Sequence, residues 1–229
     1  MKYFILSYLL LISFLGISQS NDKTELYKNY REDQFYASLT YNILNLKPNG
    51  LSQSGFSTGF HFGFIRDMPI NANRDFALGL GLGLSSNSYN QNLLITEDNK
   101  EYLFEIINED EINVSQNKFT TYLVELPFEI RWRTSTATDY NFWRIYAGFK
   151  VGYVFYNSTK FRSNAGDVKL FNIDAFNQLQ YGLTLSVGYG TWNFHAYYGL
   201  NPIFNEESIL NGEQLDIASF KVGLMFYIL

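Results

Sequence analysis

The stretch DFALGLGLGLSS, residues 75–86, alternates large apolar residues with glycine. Phenylalanine or leucine occupies every even position from 76 to 84, whereas the odd positions include Gly79, Gly81 and Gly83. Because successive side chains point to opposite faces of a strand, these glycines share one face. Glycine weakens a strand interior and has no side chain to pack. The pattern therefore predicts a strand with one large apolar face and one face on which space is scarce.

Seven further segments alternate in the same way, at residues 35–43, 56–64, 121–133, 143–156, 178–189, 192–200 and 218–228. A tilted strand that crosses a bilayer needs about 9–11 residues, whereas strands of soluble sheets have about five or six. An even number of such segments, apolar outside and polar inside, is typical of outer-membrane barrels. The sequence therefore predicts an all-β fold, an eight-stranded antiparallel up-and-down transmembrane outer-membrane β-barrel of OmpA-like size.

The connections between these segments alternate in length. Counted from the N-terminus, the odd connections include long ones at residues 87–117, 157–175 and 201–213, and the one at 47–54 is short for this group. The even connections, such as 134–141, are short. Outer-membrane barrels have long extracellular loops and short periplasmic turns, so we expect the odd connections to lie outside the cell.

Aromatic residues gather on the apolar face at the predicted periplasmic ends of the strands, and all three tryptophans are among them. Such a girdle is typical of a membrane interface, where aromatic rings contact polar headgroups. A soluble lipocalin-like barrel or sandwich, the competing interpretation, has its apolar face inward and no reason to collect tryptophans at one rim. The predicted girdle consists of Phe35, Phe64, Phe76, Trp132, Trp143, Tyr189, Trp192 and Phe226.

The N-terminus, MKYFILSYLLLISFLGISQS, has the features of a secretory signal peptide. Lys2 provides the positive start, residues 4–14 are apolar, and small residues follow that allow cleavage. We predict a signal peptide at residues 1–18, a periplasmic tail at 19–33 and an outer-membrane barrel domain at 34–229. A retained membrane anchor is the alternative, although the apolar run is short for one.

The inward positions of the predicted barrel carry several charged side chains. Eight strands enclose a space that side chains just fill, so an open pore is not expected. Buried charges are tolerated when they are paired, and we expect a structural salt-bridge network, with an ion or proton path as the alternative. Its predicted members are Glu125, Glu129, Arg131, Arg144, Lys150 and Lys221, with either glutamate paired to Lys150 or Arg144. The glycines at 79–83 would make room for Tyr146, Lys150 and Arg144.

The sequence predicts no catalytic, cofactor-binding or metal site, and we expect that the protein is not an enzyme. Its two histidines, His61 and His195, are both predicted to face inward, and no motif joins them to a serine and a carboxylate. With no cysteine in the chain, they form no zinc-binding cluster. A net charge of −5 without a basic block argues against nucleic acid as a partner.

The longest connection contains ITEDNKEYLFEIINEDEINVSQNK, an acidic sequence around the apolar run YLFEII. It predicts a solvated loop in which strands extend above the membrane. A partner-binding surface, or a divalent-cation bridge to lipopolysaccharide, is the alternative, and the apolar run favours a partner.

Pro127 interrupts the hydrogen-bonding pattern of the fourth segment, because proline has no N–H to donate. A closed barrel has no free edge at which this loss is harmless. We therefore expect a β-bulge at this position, with the approach of another molecule to the barrel wall as the alternative.

Four stretches together resemble one known family: VELPFEIRWRTST, FWRIYAGFKVGYVFYNSTKF, YGTWNFHAYYGLNPIF and the terminal FKVGLMFYIL. They are similar to the PorT (SprT) family of outer-membrane barrel proteins from Bacteroidetes. The Glu-Leu-Pro strand and the tryptophan-bearing turn are the most specific parts. The resemblance extends over residues 35–229.

The resemblance implies a non-enzymatic component required for type IX protein secretion and, in gliding species, for the export of motility adhesins. It implies an outer-membrane location, with membrane lipid, lipopolysaccharide and other secretion-system proteins as partners. It transfers no catalytic residues or cofactor. A generic structural or adhesive OmpA-style barrel is the first alternative, and an outer-membrane lipid-modifying enzyme is the second.

Overall fold

The computed structural model describes residues 33–71, 73–108, 112–134, 142–164 and 166–228. Eight strands follow one another around a closed sheet. They are β1 (Gln34–Asn45), β2 (Thr58–Pro69), β3 (Phe76–Asn90), β6 (Val114–Arg133), β7 (Trp143–Ser163), β9 (Leu179–Tyr189), β10 (Trp192–Pro202) and β13 (Ala218–Ile228). Each pairs antiparallel with the next, and β1 pairs with β13. This closure confirms the predicted eight-stranded up-and-down barrel.

Short strands lie in the long connections: β4 (Leu93–Asp98), β5 (Glu101–Ile106), β8 (Gly166–Phe171), β11 (Ile209–Leu210) and β12 (Glu213–Gln214). Strands β4 and β5 form a hairpin whose turn residues, Asn99 and Lys100, both have positive φ angles, as a two-residue type I′ turn requires. Strands β11 and β12 form a second hairpin. Strand β8 pairs with the last residues of β7. The long connections are therefore structured.

Some predictions fall on residues outside the described ranges. The predicted signal peptide at 1–18 lies there, as does the predicted tail at 19–33 except for its last residue. Most of the predicted turn at 134–141 also lies outside them. Within the described ranges, no helix is long and apolar enough to span a membrane.

Strand β3 has the two unlike faces that its alternation predicts. Leu80, Leu82 and Leu84 are 53%, 59% and 55% exposed on the outer surface. The glycines between them face the interior, where the backbone of β3 approaches its neighbours closely. The large apolar face therefore points out of the barrel, as a lipid-facing wall requires.

The interior glycines of β3 make room for neighbouring side chains. A Cβ atom at Gly79 would lie 2.8 Å from Nε of Arg131, and one at Gly81 would lie 2.7 Å from Cγ1 of Ile65. A Cβ atom at Gly83 would collide with the hydroxyl of Tyr36. The expectation that these glycines accommodate Tyr146, Lys150 and Arg144 is therefore wrong. The space goes to side chains of the adjacent strands β2 and β6 and of nearby β1.

Several strands are longer than the apolar alternation predicts. Strands β6 and β7 contain 20 and 21 residues, and β2 continues through Asp67 to Pro69. The outward residues of these extensions include the charged side chains of Arg66, Lys118 and Lys160. A strand outside the apolar part of a membrane no longer needs an apolar outer face, so the apolar signal ends before the strand does.

The bulge predicted at Pro127 is wrong. Pro127 stands opposite Lys150 in an unshifted β6–β7 register, and its ring lies on the inner side against Gly81. The β6–β7 register shifts instead nearer the start of β6, once between Val114 and Gln116 and once after Tyr122. At the second shift Tyr122 pairs with Tyr156, whereas Leu123 pairs with Val154. The extra residue, Phe155, leaves both itself and Tyr156 on the outer face, although the alternation predicts that Tyr156 points inward.

An apolar core, hereafter the cap, fills the end of the barrel that carries the long connections. Strand ends, the β4–β5 hairpin and three other connections all contribute to it. In its centre, the ring of Phe204 lies 4.8 Å from Phe176 and 5.5 Å from Phe119. The buried members are Leu44, Leu51, Tyr89, Leu93, Ile95, Phe119, Ile173, Ala175, Phe176, Ile203, Phe204, Leu210, Leu215 and Ile217.

Candidate functional site

The lower part of the lumen, near the short turns, is held together by a buried carboxylate between two arginines. Arg133 donates from Nη1 and Nη2 to the two carboxylate oxygens of Asp67, each at 2.8 Å. Arg131 donates from Nη1 to the same carboxylate at 3.2 Å and from Nε to Glu129 at 3.0 Å. The side chains of Asp67, Arg131 and Arg133 are fully buried. Bidentate, charge-assisted pairs of this kind are among the stronger hydrogen bonds in proteins.

A second ionic cluster lies higher in the lumen around Glu125. Lys150 donates from Nζ to Oε2 of Glu125 at 3.0 Å, and Nδ1 of His61 lies 3.3 Å from the same carboxylate. Nζ of Lys221 lies 4.7 Å from the ring centre of Tyr197, and Nζ of Lys150 lies 5.9 Å from it. The two lysines therefore share one aromatic ring, a stabilising arrangement for buried cations.

Aromatic rings also receive the arginine side chains of the lower lumen. The guanidinium carbon of Arg131 lies 4.4 Å from the ring centre of Tyr146, and that of Arg144 lies 4.4 Å from Phe142 and 5.5 Å from Tyr227. The rings of Tyr146 and Tyr227 meet at 5.4 Å. Side chains from β6, β7 and β13 thus contact one another across the interior.

The six predicted lumen charges are all buried, and each is 5% exposed or less. We call these six residues, together with Asp67 and Arg133, the lumen network. Of the predicted pairings, the structure contains Glu125 with Lys150, whereas Glu129 pairs with Arg131 rather than Arg144. Sequence reasoning missed the two further members, Asp67 and Arg133. The period-two pattern could have found both, because they continue the inward faces of β2 and β6.

The two histidines have different partners in the lumen. His61 contacts Glu125, and its Nε2 lies 3.4 Å from the Thr40 hydroxyl. His195 places Nδ1 2.8 Å from the hydroxyl of Ser186. Both histidines are buried. Within the described ranges, no group of three or more His, Asp or Glu side chains is arranged to bind a metal ion.

The predicted girdle lies on the outer surface at the short-turn ends of the strands. Three cross-strand ring pairs connect its members: Phe35 with Phe64 at 5.2 Å, Trp143 with Tyr189 at 5.4 Å, and Trp192 with Phe226 at 5.3 Å. Phe76 and Trp132 stand opposite each other in the β3–β6 register. The eight residues therefore line one rim of the barrel, although Phe64 lies above the end of β2.

A polar cleft of about 640 Å³ opens beside the cap, between the β4–β5 hairpin and neighbouring connections. Tyr102 and Phe104 form its apolar side and are half-buried, and Ile106 packs against the cap from the same face of the hairpin. Half of the apolar run YLFEII, residues 102–107, therefore packs against the cap and is not a free surface. In the same run, Leu103 is 52% exposed. The charged residues that line the cleft are Glu97, Lys100, Glu101, Asp174 and Glu207.

A closed barrel with a lipid-facing apolar wall, an aromatic rim and a filled interior defines the class of small transmembrane β-barrels. Within that class, the sequence matches the family described as "Outer membrane protein beta-barrel domain" over residues 17–205. The chain therefore belongs to this family, and it is an outer-membrane protein. Outer-membrane barrels have long extracellular loops and short periplasmic turns, and by this rule we expect the long connections to face the cell exterior.

Solved structures that are similar to this chain include Ail, the attachment invasion locus protein of Yersinia pestis. The match has 12% sequence identity and a TM-score of 0.39, and it covers 86% of this chain and 97% of Ail. A second structure of Ail, in complex with the heparin analogue sucrose octasulfate, matches at 12% identity with a TM-score of 0.37, covering 86% of this chain and 99% of that one. No curated protein matches the sequence.

Proposed function

We propose that this protein is a non-enzymatic outer-membrane component of protein secretion that acts through contacts with other proteins. The resemblance to the PorT family makes the type IX system the proposed pathway, including adhesin export for gliding in Bacteroidetes. Export to the outer membrane would use the predicted signal peptide at residues 1–18. Membrane lipid and lipopolysaccharide would surround the barrel wall.

The observation that carries this proposal is the double closure of the barrel. In the lumen, Arg131, Tyr146 and Tyr227 meet across the interior at 4.4 and 5.4 Å. At the extracellular end, the cap packs aromatic rings around Phe204. A polypeptide in transit needs an open channel, and small barrels of eight strands are filled by their side chains. The protein is therefore proposed to assist secretion from its surfaces.

The cleft beside the cap is the proposed contact region for a secretion partner. It combines carboxylates at its rim with the half-buried rings of Tyr102 and Phe104. Such a surface favours a partner segment that carries both basic and apolar side chains. The β4–β5 hairpin supplies part of the lining of the cleft, and it can be altered without changing a barrel strand.

Deletion of the gene tests the secretion role. We expect cargo proteins with type IX signals to remain in the periplasm of the deletion strain, and the intact gene should restore their export. Normal secretion by the deletion strain would refute the proposal. Loss of surface adhesion without a secretion defect would favour the adhesive barrel instead.

A charge reversal tests the contact region. Glu97→Lys changes a cleft carboxylate, whereas the control Glu105→Lys makes the same change on the opposite face of the same hairpin. We expect Glu97→Lys to reduce cargo export in the complemented strain and Glu105→Lys to leave it unchanged. Equal export by both variants would remove the cleft from the proposal.

The enzyme alternative predicts a different outcome. A lipid-modifying enzyme that uses either buried histidine would lose its lipid product in His61→Ala or His195→Ala while the barrel still folds. We expect these variants to leave the lipid composition of the outer membrane unchanged, which mass spectrometry of extracted lipids measures.

A further inference from the structure

The extracellular extension of β6, β7 and β8 forms a three-stranded wall above the membrane. Seventeen positions separate the girdle residue Trp143 from Lys160 on β7. At about 3.3 Å per residue and a tilt of about 40°, they are roughly 40 Å apart along the barrel axis. The apolar band of an outer-membrane barrel is about 25 Å tall. Lys160 therefore lies above the lipid tails, at the level of the extracellular headgroups.

An outward aromatic layer lies just below this extension. The ring of Tyr122 on β6 lies 5.5 Å from Tyr156 on β7, and the ring of Tyr156 stacks at 6.3 Å on Phe171 of β8. The β-bulge adds Phe155 to the same layer, 6.5 Å from Tyr122. These rings lie where the extracellular girdle of a barrel is expected.

A row of basic side chains follows directly above this aromatic layer. Lys118 stands opposite Lys160 in the β6–β7 register, and Lys160 stands opposite Lys169 in the β7–β8 register. Arg162 is two positions farther along β7 and so shares their face. Nζ of Lys169 lies 4.9 Å from the ring centre of Phe171, which joins the two layers.

Like charges at directly opposite positions destabilise a sheet, so this arrangement is unfavourable without an external partner. The pKa of the Lys160 ammonium is lowered by desolvation and by the neighbouring charges of Arg162, Lys118 and Lys169. Among the residues that the structure describes, one carboxylate reaches the group, because Asp167 lies 3.6 Å from Arg162. Four cations and this one anion leave the row with a net positive charge.

We propose that this face of β6, β7 and β8 binds the phosphorylated headgroup of an outer-leaflet lipopolysaccharide molecule. The cations contact its phosphates, and the aromatic layer contacts the boundary between its sugars and its acyl chains. Neighbouring strands are about 4.8 Å apart, so the three lysines span roughly 10 Å. A ligand with several phosphates can contact all of them, which a single small anion cannot do. This inference does not depend on the secretion role.

A binding measurement with the purified, folded barrel tests the site. The probe is purified lipopolysaccharide, titrated into the barrel in zwitterionic detergent, with the same lipopolysaccharide stripped of phosphate as the comparison. We expect Lys160→Gln to weaken binding by about five-fold, as for one lysine near an anionic surface. The triple variant Lys118→Gln, Lys160→Gln and Lys169→Gln should lose about five-fold for each lysine.

The control variant is Lys47→Gln, which removes an exposed lysine from the connection between β1 and β2. It should bind lipopolysaccharide as the unaltered protein does. The heat-dependent gel mobility of each variant shows that the barrel is folded, and the single variant keeps the test decisive if the triple variant does not fold.

Three results would overturn the proposal. The first is an unchanged affinity of the triple variant for lipopolysaccharide, and the second is equally tight binding of phosphate-free and native lipopolysaccharide. The third is equal binding to phosphatidylglycerol vesicles, which would show that this face of the protein binds any anionic membrane surface. Secretion is not measured in this assay, so its outcome is separate from that of the gene deletion.

Discussion

The lumen network and the cap fill two parts of one barrel with opposite chemistry. The lumen network is charged, and its members are held by ion pairs such as that between Asp67 and Arg133 or, for Arg144 and Lys221, by contacts with aromatic rings. The cap consists almost entirely of hydrocarbon and aromatic groups around Phe204. In the membrane region the apolar faces of the strands point to lipid, so polar side chains remain for the interior. Above the membrane, the connections are free to bury their apolar residues inward.

The difference also reflects where the side chains come from. Lumen residues project from strands whose register is fixed by hydrogen bonds, so donors and acceptors can be placed to within the narrow range that an ion pair requires. Cap residues come from connections that are far apart in the sequence. Apolar burial has no directional requirement, and it can therefore hold such segments together without exact alignment of polar atoms.

The largest expected effect comes from breaking the lumen network at Asp67. The variant Asp67→Ala leaves Arg131 and Arg133 buried without their shared carboxylate. Removing one partner of a buried ion pair costs about 3–5 kcal/mol, and we expect the free energy of unfolding to fall by this amount. Denaturant unfolding of the barrel in lipid vesicles measures it. A loss of less than about 1 kcal/mol would show that the arginines are solvated.

The cap should respond to a deletion of volume instead. Phe204→Ala removes a fully buried ring that contacts Phe119, Phe176 and Phe104. Large-to-small changes at a phenylalanine cost about 3–5 kcal/mol, and we expect about 3 kcal/mol because surface connections can partly close the cavity. Proteolysis of the β4–β5 hairpin should also become faster.

One result would contradict this prediction. Unchanged proteolysis would mean that the hairpin is held without the central ring. The control Phe56→Ala removes a ring that is 68% exposed, and it should leave proteolysis of the hairpin as it is in the unaltered protein.

The barrel can be predicted from the sequence far better than the cap can. Period-two alternation identifies the eight strands and the inward charges, because every second residue must serve the same face. The prediction stops short of Asp67, because the apolar outer face of this segment ends at Phe64 and the next outward residue, Arg66, is charged. The cap has no period: Leu51 and Leu215 are single apolar residues in polar connections. Only the closed barrel brings them together.

Overfilling the lumen should have a smaller effect than breaking its ion pair. In Gly81→Leu, even the Cβ atom would lie 2.6 Å from the carbonyl oxygen of Phe64 and 3.0 Å from the ring of Pro127. Overpacking costs about 1–3 kcal/mol, and we expect the variant to fold more slowly into vesicles. The heat-dependent shift in gel mobility measures the folding rate. The control Leu82→Phe enlarges the lipid face of the same strand and should fold at the normal rate. Normal folding of Gly81→Leu would show that the lumen is looser than its contacts indicate.

The smallest effect should come from an Arg–Asp pair outside the barrel. Arg162 and Asp167 are the same residue types as Arg133 and Asp67, but their side chains are 54% and 65% exposed and lie 3.6 Å apart. Exposed pairs contribute about 0–1 kcal/mol and weaken in salt, so Asp167→Asn should barely change the free energy of unfolding. It should tighten lipopolysaccharide binding, because it removes the negative charge from the basic row, whereas Lys160→Gln should weaken it. If Asp167→Asn weakened binding instead, the carboxylate would have to act as a ligand for a bridging cation, and direct contact between the lysines and phosphate would be refuted.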